Sequence, residues 1–482
     1  MANVQVDSTK RDTILSTLSL FFQSGYSAIL GLIANLVLTI LLSPTIFGIY
    51  ITVLSMISIL NYFSDIGLAA SLIQKKIITD EEIKTTFTVQ QILIISIILI
   101  CFLLTPVTRS FYNLPQEGIY LYWALLVSFF LSSLKTIPSV FLERKIQFQK
   151  IVLVQIVENT LFYLTVIIAA LLGLGLTSFT IAVMVRAVVG LITIYSISFW
   201  RPQIGISSRS LRQLLSFGLP FQASSFLALF KDDLIILFLG KAVGFAGVGY
   251  IGWAKKWAEV PIRIVMDNIS RVIFPLIARF QEDKAKITRL LEKILAYQSA
   301  LIIPAIVGMI FLMKPLTEVI PRYSKWSMAL PLFYIFALSS LIVSFGAPFV
   351  NLFNALGKVK ITFSLMLFWT LLAWLLTPPA TWLAGFTGYP FVHLFISCTY
   401  IAAIWQAKKL LTIKIFKPVL PYITSALIMG GAIWLLNSFI SFSSAIALFT
   451  VVLLGVVFYA ASLNIFFRIN FIAILKDLKK NT

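Results

Sequence analysis

Charge is scarce in this chain. Only 12% of its 482 residues are Asp, Glu, Lys or Arg, about half the share of a soluble domain. With 60% hydrophobic residues and a mean hydropathy of +0.99, a water-soluble globule is excluded. Histidine is nearly absent. His393 stands alone, so no His-based metal cage can form, and no nucleophile elbow lies near it to complete a Ser–His–Asp triad. The two cysteines, Cys101 and Cys398, sit inside apolar runs and support neither a CxxC pair nor a disulfide framework. No GxxxxGK[ST] loop occurs, so the chain carries no ATPase phosphate loop of its own. No metal, no cofactor and no catalytic constellation are expected.

Long apolar runs are what the chain has. Stretches long enough to cross a bilayer recur fourteen times, which predicts an all-α integral membrane protein and not the ten-residue alternation of an outer-membrane barrel. Their limits are near 13–42, 45–66, 84–108, 118–138, 149–174, 176–200, 214–240, 242–268, 292–318, 327–355, 361–384, 386–407, 418–439 and 442–467. The first follows a dozen polar residues, is too long for the apolar region of a signal peptide and has no cleavage site, so it is read as retained. Of the 38 basic residues, 27 fall at the two ends or in loops after even-numbered spans. Loops after odd-numbered spans hold five: Arg109, Lys241, Lys314, Arg322 and Lys325. The positive-inside rule then predicts both termini in the cytoplasm, across the inner (cytoplasmic) membrane. The same asymmetry accounts for most of the net charge of +20, and nucleic acid is an unnecessary partner.

The spans repeat. LLSPTIFGIYITVLS (41–55) and FLGKAVGFAGVGYIGWA (238–254) both end a span, turn, and restart through Phe47-Gly48-Ile49-Tyr50 or Val248-Gly249-Tyr250. One loop later, 70–83 matches 274–287 in position and character. The offset is six spans, and an even offset keeps both copies in one orientation. Parallel repeats of this kind predict two pseudo-symmetric six-helix bundles enclosing a central cleft, the architecture of an alternating-access carrier. The expected organisation is an N-terminal lobe at 1–200, a cytoplasmic linker at 201–213, a C-terminal lobe at 214–410, and two additional helices with a tail at 411–482. Segments 269–291 and 139–150 alternate apolar and basic residues and are expected as amphipathic helices on the inner leaflet.

Charges inside a bilayer are costly and mark function or pairing. Lys256, Glu259, Arg263 and Asp267 fall on one face of the eighth span, with Lys255 to one side. The seventh span carries Lys231, Asp232 and Asp233; Arg186 lies in the sixth, Glu158 in the fifth and Lys135 near the end of the fourth. Arg186, Lys231, Lys255, Lys256 and Arg263 are candidate anion-binding groups, since a phosphate needs cationic donors screened from bulk water. Glu158, Asp232, Asp233 and Glu259 are candidates for coupling or charge pairing. The bland alternative is structural pairing, such as Lys231 with Asp232 or Asp233 and Lys256 with Glu259. Lys135, Arg263 and Asp267 also lie where they could snorkel to the inner interface. His393 is expected to be a helix–helix hydrogen-bonding group.

Several short motifs resemble one family. Asp65-Ile66-Gly67-Leu68-Ala69-Ala70-Ser71-Leu72-Ile73-Gln74, followed by a basic residue and Thr79-Asp80-Glu81-Glu82, is similar to the D-[IL]-G-L-x-x-x-L-I-Q-[KR] segment of polysaccharide flippases. These flippases belong to the multidrug/oligosaccharidyl-lipid/polysaccharide exporter superfamily. Phe217-Gly218-Leu219-Pro220, Arg271-Val272-Ile273-Phe274-Pro275 with Arg279, and Asn354-Ala355-Leu356-Gly357-Lys358 follow in the family's order. The resemblance implies two six-helix lobes with two extra C-terminal helices and no ATP. It implies a polyprenyl-diphosphate-linked oligosaccharide as substrate, moved from inner to outer leaflet, with membrane lipids and polysaccharide-assembly enzymes as partners. A cation-coupled drug antiporter of the same superfamily is the alternative, and would favour carboxylates over the six intramembrane bases. A membrane glycosyltransferase or polymerase is a third class, and the short outer loops near 109–117 and 314–326 offer it little.

Overall fold

The computed structural model describes residues 10–64, 66–223, 226–439 and 444–469, and over these it contains helices and no strand. The chain divides into two compact units, Met1–Gly249 and Tyr250–Thr482. The first unit opens with α1 (Lys10–Leu41), α2 (Pro44–Ser64), the short α3 (Leu68–Gln74), α4 (Asp80–Leu103) and α5 (Thr105–Tyr112). It continues through α6 (Gln116–Ser133), α7 (Thr136–Arg144), α8 (Phe148–Leu171) and α9 (Thr177–Ile197). The seventh expected span follows in three pieces: α10 (Ser208–Ala223), α11 (Phe226–Lys231) and α12 (Asp233–Ala242). The unit boundary falls early in α13 (Gly244–Arg279). Beyond it come α14 (Lys284–Val319), α15 (Leu330–Ala355), α16 (Val359–Ala384), α17 (Gly388–Cys398), α18 (Ile401–Lys408), α19 (Phe416–Phe439) and α20 (Ala445–Phe467).

Each unit has its own core. In the first, α8 packs along α9 and α1, and α6 along α9 and α2, around Leu38, Val53, Ile94, Leu121 and Val166. In the second, α14 packs along α19, which pairs with α20, while α15 and α16 both pack on α17; Leu291, Phe349, Phe353, Tyr459 and Leu463 are at the centre. Large apolar side chains are also fully presented on the outside, among them Leu103, Leu172, Trp382, Leu383, Phe449 and Ile465. Such a surface is stable only against lipid, where helices satisfy their own backbone. The protein is a multi-pass membrane protein.

Among the described residues, ten helical stretches are long and apolar enough to cross a bilayer, or eleven if α6 and α7, bent by 41° at their junction, form one broken span. The difference from the fourteen apolar runs has physical causes. Residues 359–408 form one stretch of 50 residues, at about 1.5 Å per residue more than twice a bilayer core, and α16 folds back onto α17 at Gly385, whose φ is 58°. The seventh run is broken into pieces too short to cross alone, and the eighth carries too many charges to pass on composition.

One expectation is corrected. No separate interfacial helix spans 269–291: α13 continues unbroken to Arg279, and α14 restarts at Lys284. Each has 36 residues, about 54 Å at helical rise, so both overrun a bilayer core of about 30 Å. The alternation of apolar and basic residues is that of two helix ends leaving the membrane. At 139–150, α7 is a short helix whose Ile137, Val140 and Leu142 are buried in protein.

The motif residues explain one corner of the first unit. Gly67, at φ 78°, starts α3 and lies against Gly218 of α10; a Cβ on Gly67 would sit 2.2 Å from the Gly218 carbonyl oxygen. Ser71 Oγ donates to the Leu214 carbonyl at 2.7 Å. Thr79 and Glu82 form a reciprocal capping box at the start of α4, and Lys75 Nζ bonds Glu82. Arg144 donates to the carbonyls of Leu72, Lys75 and Lys76 at the end of α3, where a helix leaves its last acceptors unsatisfied. Asp65 lies outside the described residues.

Candidate substrate-binding site

Three of the intramembrane charges meet in the first unit. Glu158 faces inward from α8 and is buried. Lys135, at the break between α6 and α7, donates to Glu158 Oε1 at 2.6 Å, and Arg186 of α9 places Nε 3.9 Å from Oε2. Gly190, one turn beyond Arg186, makes room for this carboxylate: a Cβ there would lie 1.8 Å from Glu158 Oε1. The guanidinium rests over the Phe162 ring at 5.8 Å, a cation–π contact that orients it. One buried carboxylate serves two cations, so the cluster keeps a positive excess. Arg186 carries it, with 49% of its side chain exposed.

Lys135, one of the intramembrane bases and placed where it could snorkel to the inner interface, instead anchors Glu158. Nothing in the linear sequence joins residues 135, 158 and 186, since the contact is made by three helices. The helix break that frees Lys135 to turn inward lies one turn before Pro138, which has no N–H for the Leu134 carbonyl; that carbonyl accepts from Tyr195 Oη at 3.1 Å instead. A polar seam runs beside the cluster, where Tyr26 of α1 and Thr160 of α8 hydrogen-bond at 2.7 Å and Asn159 donates to Ser27 at 3.4 Å.

A second group lies on α13. Glu259 Oε2 accepts from Arg263 Nη2 at 2.9 Å, and its Oε1 is 3.8 Å from Lys255 Nζ. Both partners are one helical turn away, the spacing that lets side chains on a helix meet. Glu259 therefore pairs with Lys255 and Arg263, not with Lys256. Lys256 is exposed and has no acidic partner among the described residues. The side chains of Asp267, Arg271 and Arg279 lie outside the described residues.

The third group marks the broken span. Lys231 ends α11, Asp232 takes the N-cap position of α12 without a side-chain cap bond, and Asp233 begins α12. Asp232 is exposed and Asp233 half-buried, with Tyr62 of α2 in electrostatic range of both. Interrupted helices of this kind recur where carriers hold their substrates, because irregular backbone at membrane depth survives only beside protein or water. The apolar run showed no such break, because periodicity alone registers composition and not backbone course. In the second unit, His393 Nδ1 is 2.6 Å from Ser339 Oγ, joining α17 to α15. Among the described residues, no three His, Cys, Asp or Glu side chains converge on a possible metal site.

Over the described residues the chain is all-helical and multi-pass, with ion pairs among its apolar helices, and its fold is shared by solved membrane transporters. The solved structure of the lipid II flippase MurJ in its inward closed conformation matches it with a TM-score of 0.76 at 16% identity, covering 94% of this chain and 99% of that one. An inward-facing multidrug resistance transporter of the MATE family matches with a TM-score of 0.58 at 15% identity, over 83% and 94%. The chain belongs to the polysaccharide biosynthesis protein family, whose model matches residues 37–331. Among curated relatives, the lipopolysaccharide biosynthesis protein WzxC of Escherichia coli (strain K12) is 26% identical over 71% of this chain and 70% of its own length. The succinoglycan biosynthesis transport protein ExoT of Rhizobium meliloti (strain 1021) is 22% identical over 68% and 66%. The teichuronic acid biosynthesis protein TuaB of Bacillus subtilis (strain 168) is 20% identical over 62% of each. The resemblance carried by the short motifs is borne out at the level of the family.

Proposed function

We propose that this protein is a flippase for polyprenyl-diphosphate-linked oligosaccharide, moving repeat units from the inner to the outer leaflet for polysaccharide biosynthesis. The carrying observation is a cationic excess in a chain of this family: Arg186 shares one carboxylate with Lys135, and Lys256 is exposed with no acidic partner among the described residues. A diphosphate is the substrate part that such donors suit, Arg by a forked contact and Lys as a point charge. Lys231 and Lys255 are further candidate donors to the diphosphate, and Arg263 is the candidate that receives the headgroup on the cytoplasmic side. Glu158, Glu259, Asp232 and Asp233 hold these cations in place or take part in coupling. The working topology is fourteen crossings in the inner membrane with both ends cytoplasmic. Two six-helix lobes, 1–200 and 214–410, are joined by 201–213, and the helices of 411–482 are added to them. Polysaccharide-assembly enzymes are the partners that would supply and consume the substrate.

A drug or cation antiporter would need a carboxylate available to a cation. Glu158 and Glu259 each already serve two bases, which leaves only Asp232 and Asp233 among the candidate carboxylates for that role and favours the anionic substrate. The deciding experiment is deletion of the gene, followed by analysis of lipid-linked sugars and exported polysaccharide. Accumulation of a lipid-linked repeat unit, rescued by the wild-type gene and not by Lys256→Ala or Arg186→Ala at equal protein level, is expected. Normal export from both variants would sink the anion site, and unchanged lipid-linked sugars on deletion would sink the flippase assignment itself.

A further inference from the structure

The repeat alignment that sets Gly48 over Gly249 also sets Pro44 over Phe245. In the structure these four positions touch one another, and they do so reciprocally. A Cβ on Gly48 would lie 1.7 Å from the Phe245 carbonyl oxygen, and a Cβ on Gly249 would lie 1.9 Å from the Pro44 carbonyl oxygen. Each repeat thus seats its glycine on the carbonyl of the other repeat's residue four positions earlier. That exchange is the mark of a local twofold contact, in which i meets j and j meets i. All four residues lie in the first compact unit, at the starts of α2 and α13.

We propose that these two turns are the outer gate of the carrier, a backbone-to-backbone clasp that parts whenever the substrate path opens outward. The proposal rests on the flippase reading and its topology, which put both turns on the outer side. Only positions without a Cβ allow this approach, since two backbones meet this closely only through glycine. Contacts of this kind are van der Waals and weak Cα–H···O in character, so separating them strands no buried charge. The surrounding bonds are equally separable. Lys241 Nζ donates to the Phe111 carbonyl at 2.7 Å from an exposed position, and Tyr112 Oη reaches the Leu237 carbonyl at 3.4 Å. Just inside the clasp, Thr52 of α2 is fully buried against Gly240 of α12, 2.8 Å from where its Cβ would be.

Thr52 supplies the reporter. In a background with Cys101→Ser and Cys398→Ser, Thr52→Cys is exposed to a membrane-impermeant maleimide added outside whole cells. With both glycines present, labelling should be slow. Gly48→Ala with Gly249→Ala should wedge the turns apart and speed labelling about tenfold, a population shift of the open state. Gly31→Ala, whose Cβ would meet only the Tyr163 hydroxyl at 3.3 Å, should leave it unchanged. Should the glycine variants fail to accumulate, Lys241→Ala with Tyr112→Phe decides: these substitutions add no bulk and should raise labelling several-fold. Unchanged labelling in every variant present at normal level overturns the gate. Labelling needs no sugar, so faster labelling in a strain whose lipid-linked sugars ignore the gene keeps the gate and rejects the flippase reading.

Discussion

Glu158 is the residue on which the first unit's charge cluster turns. Its carboxylate neutralises Lys135, which is mostly buried at 18% side-chain exposure, and steadies Arg186. Glu158→Gln leaves the Lys135 ammonium without its counter-charge, and breaking a buried pair costs about 3–5 kcal/mol. The purified variant should melt well below wild type in detergent and lose export. Removing both charges with Lys135→Met and Glu158→Leu should recover much of the stability, since apolar replacement of a buried pair is often neutral. Export should stay low because Arg186 loses its anchor. Equal stability of the single and double variants would show that the pair is not what holds α6, α8 and α9 together. Gly190→Ala, by contrast, forces a methyl into Glu158 and should destabilise by about 1–3 kcal/mol through overpacking. These residue types were legible as intramembrane charges, but their grouping was not: residue 135 lies at the α6–α7 break, 158 on α8 and 186 on α9.

Among the elements, α3 and α10 show how a short motif acts. The Gly67–Leu72 segment and Phe217-Gly218 are 150 residues apart in the chain and meet as one contact, with Ser71 bonded to Leu214. Gly67→Ala should be the more damaging of two variants. It combines a φ of 78° with a Cβ 2.2 Å from Gly218 O, and the left-handed region alone costs an L-residue about 1–2 kcal/mol. Gly218→Ala, whose Cβ would be 2.8 Å from the Gly67 and Ile66 oxygens, should cost less. Melting curves of the two variants check the order. The motif was visible as a string of residue types; that one part of it folds against another depends on packing between distant segments. Likewise α13 and α14 absorb the basic, amphipathic stretch expected to lie flat, because continuing a helix keeps its backbone bonds while ending one leaves four acceptors open.

For the whole molecule, topology is the prediction with the widest reach. Reporter fusions after Lys293 should read cytoplasmic and fusions after Thr387 outer, following the split of loop charges. A reversed result at either site would also invalidate the assignment of the glycine clasp to the outer side. Class, membrane residence and family followed from sequence alone. Apolar length and scarce charge leave a chain no other solvent than lipid, and loop charge and motif order are local properties that survive without a fold. The tertiary structure decided what is not local. It broke the seventh span at Lys231–Asp233, gave Glu259 to Lys255 and Arg263 in place of Lys256, and brought Glu158 between Lys135 and Arg186. It also seated Gly48 and Gly249 on each other's repeats. Each of these depends on which helices lie side by side, and the energy that chooses neighbours comes from packed surfaces and paired charges far apart in the chain.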